Sequence, residues 1–218
     1  MNLTSVRAVP LGDSALTIVL GSERSTELLK RVHATAAALA AEKLPDVQDV
    51  VPGYLGVAVF YDPLSTSYGE MAAKLIAVCE GASHSINGRG EIREHEVPVT
   101  YDGPDLADVS ASCGLSPNEV IARHSGRTYT VDLLGFVPGF GYLSELDPSL
   151  ALPRRPQPRT RVPAGSVAIA GAQTAVYPLD TPGGWHIIGR TETVMFDPQR
   201  EPPALLRAGD TVRFIPAR

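Results

Sequence analysis

Four arginines fall within eight residues of the run Pro153-Arg154-Arg155-Pro156-Gln157-Pro158-Arg159-Thr160-Arg161. A guanidinium fork grips two oxygens at once and stays charged, which suits carboxylate, phosphate or carbamoyl groups. The interspersed prolines fix φ and limit the freedom of the loop that carries them. A solvated loop, or arginines paired with acidic neighbours such as Glu145 and Asp147, is an equal alternative, because surface charge clusters often contribute nothing specific. Gly165-Ser166 and Gly183-Gly184 can each present backbone N–H groups to an anion, although simple hairpin turns are the commoner use of glycine pairs. His124 ends a short helix before Ser125-Gly126. A helix C-terminus favours the protonated imidazole, so His124 is a candidate general acid or anion contact, set against a plain C-capping role. Tyr142, Gln173 and Tyr177 offer polar groups to the same pocket. Trp185, the only tryptophan, is either a pocket wall or a core anchor.

These residues need a rigid frame, and the segment Gly135–Thr191 is built to give one. It holds eight Gly and eight Pro in 57 residues, a density that in isolation reads as disorder. It also carries Phe136, Phe140, Tyr142, Tyr177 and Trp185 with the β-branched runs Val167–Ile169 and Ile187–Ile188, apolar mass that disordered tracts lack. Rigid loops between short strands follow, with glycines where backbone turns or approaches a ligand.

Upstream, Val6–Val9 and Ala15–Leu20 read as two strands joined across Pro10-Leu11-Gly12-Asp13. Ser25–Leu44 has helical spacing, an N-cap at Ser25 or Thr26 and a stop at Pro45. Val47–Val51 and Leu55–Tyr61 read as a strand pair, and Tyr68–Cys79 as a second helix. The pattern predicts a small α+β sandwich with two helices on one face of an antiparallel sheet. Gly81–Gly90 reads as a break, and the domain boundary is placed near residues 81–91, giving units 1–85 and 86–218. Beyond it come a strand at Glu91–Tyr101, a turn at Tyr101-Asp102-Gly103-Pro104 and two short helices. The second helix opens on a capping box of Ser116, Pro117 and Glu119. From Arg127 to the strand Thr211–Ile215 only strands and turns are expected, closed into a barrel that hides strand edges.

Composition narrows the function classes. The chain is 44% hydrophobic and 20% charged, with net charge −5, so no chain-wide electrostatic footprint for nucleic acid exists, while a local basic patch stays open. No basic segment followed by an apolar one opens the sequence, and no apolar run nears the ~18 residues of a membrane span. Cys79 and Cys113 have no metal-ligand spacing and suit a reducing cytoplasm. No metal site is expected. P-loop, G-x-S-x-G, H-E-x-x-H and EF-hand patterns are absent. Lys30, Lys43 and Lys74 lack a Met-Lys-Met setting, so no biotin is expected on this chain.

Longer ordered signatures are also present. They run through Gly135-Phe136-Val137-Pro138-Gly139-Phe140, Tyr142-Leu143, Pro153-Arg154-Arg155, Pro158-Arg159 and Val162 to Gly171. Tyr177-Pro178, Pro182-Gly183-Gly184-Trp185 and Ile188-Gly189-Arg190-Thr191 continue them, with Pro10 to Ala15, Val51-Pro52, Tyr101-Asp102-Gly103, Ala122-Arg123-His124 and Gly209-Asp210 outside the segment. This series resembles the family of 5-oxoprolinase B subunits, also called KipI or allophanate hydrolase subunit 1, across essentially the whole chain. The resemblance implies a ferredoxin-like N-terminal domain and a cyclophilin-like β-barrel. It implies a homologous C subunit (allophanate hydrolase subunit 2 type) and a separate LamB/YcsF-type A subunit as partners. Together they would open 5-oxo-L-proline to L-glutamate at the expense of ATP, with Mg2+ following from ATP. A carboxyltransferase related to urea carboxylase, and an inhibitor of a sensor histidine kinase, are the alternatives the same family offers. Expected to act in catalysis are His124, Arg154 and Arg159. Substrate contacts are expected from Phe136, Pro138, Gly139, Tyr142, Arg155, Arg161, Gly165, Ser166, Gln173, Tyr177, Gly183, Gly184 and Trp185. Replacing Arg154, Arg159 or His124 by Ala is expected to slow turnover while leaving thermal stability nearly unchanged.

Overall fold

The computed structural model describes residues 6–82 and 92–217. The chain divides into two compact units, Met1–Glu91 and Ile92–Arg218. The expected break at Gly88-Arg89-Gly90 lies outside the described residues.

In the first unit, strands β1 (Arg7–Pro10) and β2 (Ala15–Val19) form a hairpin. Gly12 supplies its left-handed residue at φ 70°. Helix α1 (Thr26–Ala41) starts under Ser25, whose Oγ accepts from the Leu28 N–H at 3.1 Å. It stops short of Pro45, because the chain leaves helical geometry at Lys43, φ 47°. Strands β3 (Val47–Pro52) and β4 (Gly56–Tyr61) precede helix α2 (Tyr68–Ala82), which runs three residues past the expected Cys79. The sheet is antiparallel in the order β1-β2-β4-β3. Alternation puts Leu16, Ile18, Val57 and Val59 on one face, where they pack with Val32, Leu39, Met71 and Leu75 of the helices.

The second unit opens with β5 (Glu94–Val99), α3 (Leu106–Cys113) and α4 (Pro117–Ser125). The predicted capping box forms at α4: the Ser116 N–H donates to Glu119 Oε2 at 2.8 Å, and the Glu119 N–H donates to Ser116 Oγ at 3.3 Å. Strands follow at β6 (Thr128–Leu134), β7 (Gly141–Ser144), β8 (Arg159–Val162), β9 (Ser166–Ala170), β10 (Gln173–Val176), β11 (Thr181–Gly183), β12 (His186–Arg190) and β13 (Thr211–Pro216). The expectation of strands and turns alone after Arg127 fails at Pro148–Leu150. There a 3₁₀ turn forms because Asp147 Oδ1 accepts from the Ser149 N–H at 3.0 Å.

Seven strands make one sheet, ordered β12-β9-β10-β7-β6-β13-β5, in which β13 and β5 are parallel. Its two edges meet at a single bridge, where Thr100 and Arg190 exchange both backbone hydrogen bonds at 2.9 Å. The sheet is thus a nearly closed barrel, filled by Val97, Tyr129, Val131, Leu143, Val167, Ile169, Ile188 and Phe214 among others. Strands β8 and β11 form a separate two-stranded ribbon.

Candidate functional site

Strand β9 is buried at every residue because both of its faces are covered. Val167 and Ile169 enter the barrel core, whereas Ala168 and Ala170 face a second cluster made with Phe140, Val162, Ala175, Tyr177, Trp185 and Ile187. Small alanines here leave room for large rings. Phe140 sits at the centre, edge-on to Tyr142, Tyr177 and Trp185 with centroids 4.9, 5.3 and 5.7 Å away, the geometry that aromatic quadrupoles favour. Gly183 is glycine for this reason: a Cβ there would land on the Tyr177 hydroxyl.

The loop from β6 to β7 caps the same cluster. Phe136 is held at φ 70° and 59% exposed, its ring edge-on to Phe140 at 5.4 Å. A bulky side chain at positive φ is strained, and strain with exposure is a mark of sites that meet a ligand. Pro138 is exposed beside it. Gly139 is buried at φ 79°, where a Cβ would stand 2.6 Å from Phe196 Cβ. Its role is to let the loop pass.

The arginine run divides in a way the local sequence does not indicate. Arg159 makes a bidentate pair with Asp105, Nη2 to Oδ1 at 2.7 Å and Nη1 to Oδ2 at 2.9 Å, and Arg155 Nη1 reaches Oδ1 at 2.7 Å. Asp105 is 2% exposed and also accepts from the Ile187 N–H at 2.7 Å. Burial by itself raises its carboxyl pKa. The Arg159 hydrogen bond, the Ile187 N–H and the two positive charges outweigh that and hold it below the ordinary carboxylate value. Arg161 is taken by Asp180, Nε to Oδ2 at 2.8 Å. Arg154 remains: it is exposed and makes no hydrogen bond or ion pair with another described residue. Burial raises the Tyr177 pKa, while a hydrogen bond with the Trp185 backbone and the Arg154 charge oppose the rise; the bond from Arg155 N–H to Gly184 O at 2.8 Å holds the adjoining backbone next to Trp185. Of the acids anticipated as partners, Asp147 is engaged elsewhere, pairing with Arg127 at 3.1 Å.

Three expectations need correction. His124 is fully buried at the end of α4 and stacks on Phe214 at 4.6 Å. Thr174 donates its hydroxyl to the Ala168 carbonyl at 3.1 Å, so it must accept from His124 Nε2–H at 2.8 Å. Nδ1 then accepts from the Tyr101 hydroxyl at 2.7 Å. Burial pushes the imidazole pKa down to about 3, the reverse of the protonated form a helix end favours. His124 also belongs with the barrel core, not with the arginine–aromatic cluster. Second, the Gly165-Ser166 amides are spent internally: Gly165 N–H donates to Tyr177 O at 2.7 Å and Ser166 N–H to Pro163 O at 3.2 Å. They form a turn, not an anion cradle. Third, Gly184 contributes its carbonyl, which accepts from Arg155 N–H at 2.8 Å, and so ties the arginine loop to the connection between β11 and β12.

Gln173 lies apart, half-buried, its amide donating to buried Asp132 at 3.3 Å. The structure therefore brings together Phe136, Tyr142, Arg154, Arg155, Arg159, Tyr177, Gly183, Gly184 and Trp185, and leaves out His124, Gln173 and the Gly165-Ser166 amides. Asp105 was missed. Its position just before α3 suggests helix capping, yet its side chain makes no cap hydrogen bond. Only the adjoining Tyr101-Asp102-Gly103-Pro104 turn pointed there, without saying what it packs against.

Residues 6–206 match the family described as carboxyltransferase domain, subdomain C and D. The chain belongs to that family. Among its similar proteins is the 5-oxoprolinase B subunit of Bacillus subtilis (strain 168), 41% identical over 217 residues, covering 94% of this chain and 90% of that protein. The Escherichia coli O157:H7 protein of the same name is 41% identical over 215 residues, covering 97% and 96%. The solved structure TTHA0988 superposes with TM-score 0.83 at 42% identity over 94% of this chain, which spans only 40% of that longer chain. The urea amidolyase of K. lactis shares the family fold at 19% identity, with TM-score 0.77, over all of this chain and 15% of that one. Among the described residues no helix is long and apolar enough to cross a membrane.

Proposed function

We propose that this chain is the B subunit of an ATP-dependent 5-oxoprolinase, converting 5-oxo-L-proline, ATP and water to L-glutamate with a homologous C subunit and a LamB/YcsF-type A subunit in the cytoplasm. The observation that carries this reading is similarity along the whole length: 41% identity to two proteins named as 5-oxoprolinase B subunits, covering 90% and 96% of them. On this reading the unit Met1–Glu91 is a ferredoxin-like domain. Its order β1-β2-β4-β3 is the ferredoxin order with the last strand moved to the start of the chain. The Ile92–Arg218 barrel is then the cyclophilin-like domain.

A five-membered lactam is a stable amide, and its opening needs fixed positive charge where negative charge gathers. Arg154 is the group on this chain suited to that task, for the substrate carboxylate or a developing oxyanion, with Phe136 and Tyr142 as an apolar wall for the ring. The described residues of this chain make no complete triphosphate site by themselves. There is no P-loop, the Gly165-Ser166 amides are occupied, and among the described residues no three His, Cys, Asp or Glu gather to hold Mg2+. On this reading the nucleotide binds at the interface with the C subunit or on that subunit.

The test is turnover of 5-oxo-L-proline by the reconstituted three-subunit mixture. Omitting this chain is expected to abolish it, and an unchanged rate refutes the reading. The family description favours one second reading, a carboxyltransferase acting with a separate biotin carrier. Abolition of activity by avidin would select it.

A further inference from the structure

The Asp102-Gly103-Pro104-Asp105 turn is pressed onto β12. A Cβ on Gly103 would overlap the Ile187 carbonyl, and Gly103 N–H donates to Ile188 O at 3.2 Å. Asp105 N–H donates to Ile187 O at 3.0 Å while its carboxylate takes the Ile187 N–H at 2.7 Å. One buried carboxylate thus receives β12 and two guanidiniums of the loop opposite. Four donors share two oxygens, Ile187 N–H, Arg155 Nη1 and both Nη groups of Arg159, so no acceptor capacity is left for a fifth.

We propose that Asp105 is the positioning residue of the arginine loop: it turns the guanidiniums of Arg155 and Arg159 inward onto its own carboxylate and so leaves Arg154, which has no such partner, as the guanidinium that meets an anionic substrate group. Hydrogen bonds to charged groups, doubled in a fork, fix orientation better than a single contact. A loop held at two of its arginines and at Arg155 N–H has little freedom left for the third. The inference rests on the function proposed above for its substrate, and Asp105 touches no substrate itself.

Asp105→Asn keeps the size and one carbonyl acceptor but removes the charge. In the reconstituted mixture, at a temperature well below the melting point of each variant, Asp105→Asn and Arg154→Ala should each raise KM for 5-oxo-L-proline about tenfold with kcat changed less than about threefold. Arg155→Lys, which keeps the charge towards Asp105, should move KM much less. A purely structural Asp105 would lower the amount of active protein, and so kcat, with KM intact. That result, or an unchanged KM for Arg154→Ala, overturns the proposal. If the wild-type mixture does not turn over 5-oxo-L-proline, the function fails and a second measurement decides the inference. Guanidinium resonances of the full chain are titrated with inorganic phosphate. Arg154 alone should shift in the wild type, and Arg155 and Arg159 should join it in Asp105→Asn. Equal shifts of all three in the wild type, or none at Arg154, refute it.

Discussion

Arg154 and Arg159 are chemically identical side chains five positions apart, and the structure gives them opposite thermodynamic roles. Arg159 is three-quarters buried in its pair with Asp105. Arg159→Ala leaves a buried carboxylate short of its strongest partner, and a loss of about 1–3 kcal/mol is expected by urea unfolding. Arg154→Ala removes no internal hydrogen bond or ion pair, so stability should stay within about 0.5 kcal/mol while KM rises. The buried contacts of Arg159 and His124 thus predict a loss of stability for either replacement, against the sequence-based expectation of intact stability. For His124 the sign of the pH dependence follows from its pKa, about 3 when folded against an ordinary 6.5. Between those values the unfolded chain binds the proton and the folded one does not. Stability should fall as pH drops below 6.5, by up to about 1.4 kcal/mol per unit. His124→Gln should flatten that slope in unfolding curves taken at pH 7 and pH 5. Asp105 adds a later loss: its depressed pKa contributes stability above the ordinary carboxylate range, lost as pH falls beneath it.

Elements were the most legible level, because periodicity and capping are local. The Ser116–Glu119 box, both helices and the four strands of the first unit, and strands β5 and β13 follow from patterns within a few residues, whereas β6 to β12 were expected only as strands and turns without bounds. Ser116→Ala is expected to cost about 1 kcal/mol, read from the thermal midpoint. What sequence could not supply is anything set by distant backbone. Whether Gly183 serves as a nest or as a gap depends on where Tyr177 lies, and that is a packing fact. Gly183→Ala should force the Tyr177 hydroxyl aside, with a loss of about 1–3 kcal/mol and altered near-ultraviolet circular dichroism from the aromatic cluster. The same limit explains Asp105. Its partners stand 50, 54 and 82 residues away, beyond any spacing rule, so the nearer Glu145 and Asp147 looked like better candidates.

At the scale of the molecule, the face carrying Phe136 and Arg154 has, among the described residues, one free cation and an apolar wall, but no cradle for phosphates. That asymmetry favours a shared site over a self-sufficient one. TTHA0988, in which a segment like this chain makes up 40% of a longer chain, is a natural comparison. Its surface around the residues matching Phe136 and Arg154 can be inspected for contacts from the rest of that chain.

The pairing of β13 with both β5 and β6 sets an order of assembly during synthesis. The residues Thr211–Pro216 are made near the end of the described chain, yet they lie inside the sheet, parallel to a strand made before every other strand of the barrel. Until they leave the ribosome, β5 has no neighbour except through the Thr100–Arg190 bridge. Loop closure of that length is slow. A nascent chain stalled before Thr211 should thus expose the residues made from Ile92 onward to protease while the unit Met1–Glu91, whose strands pair among themselves, is already protected.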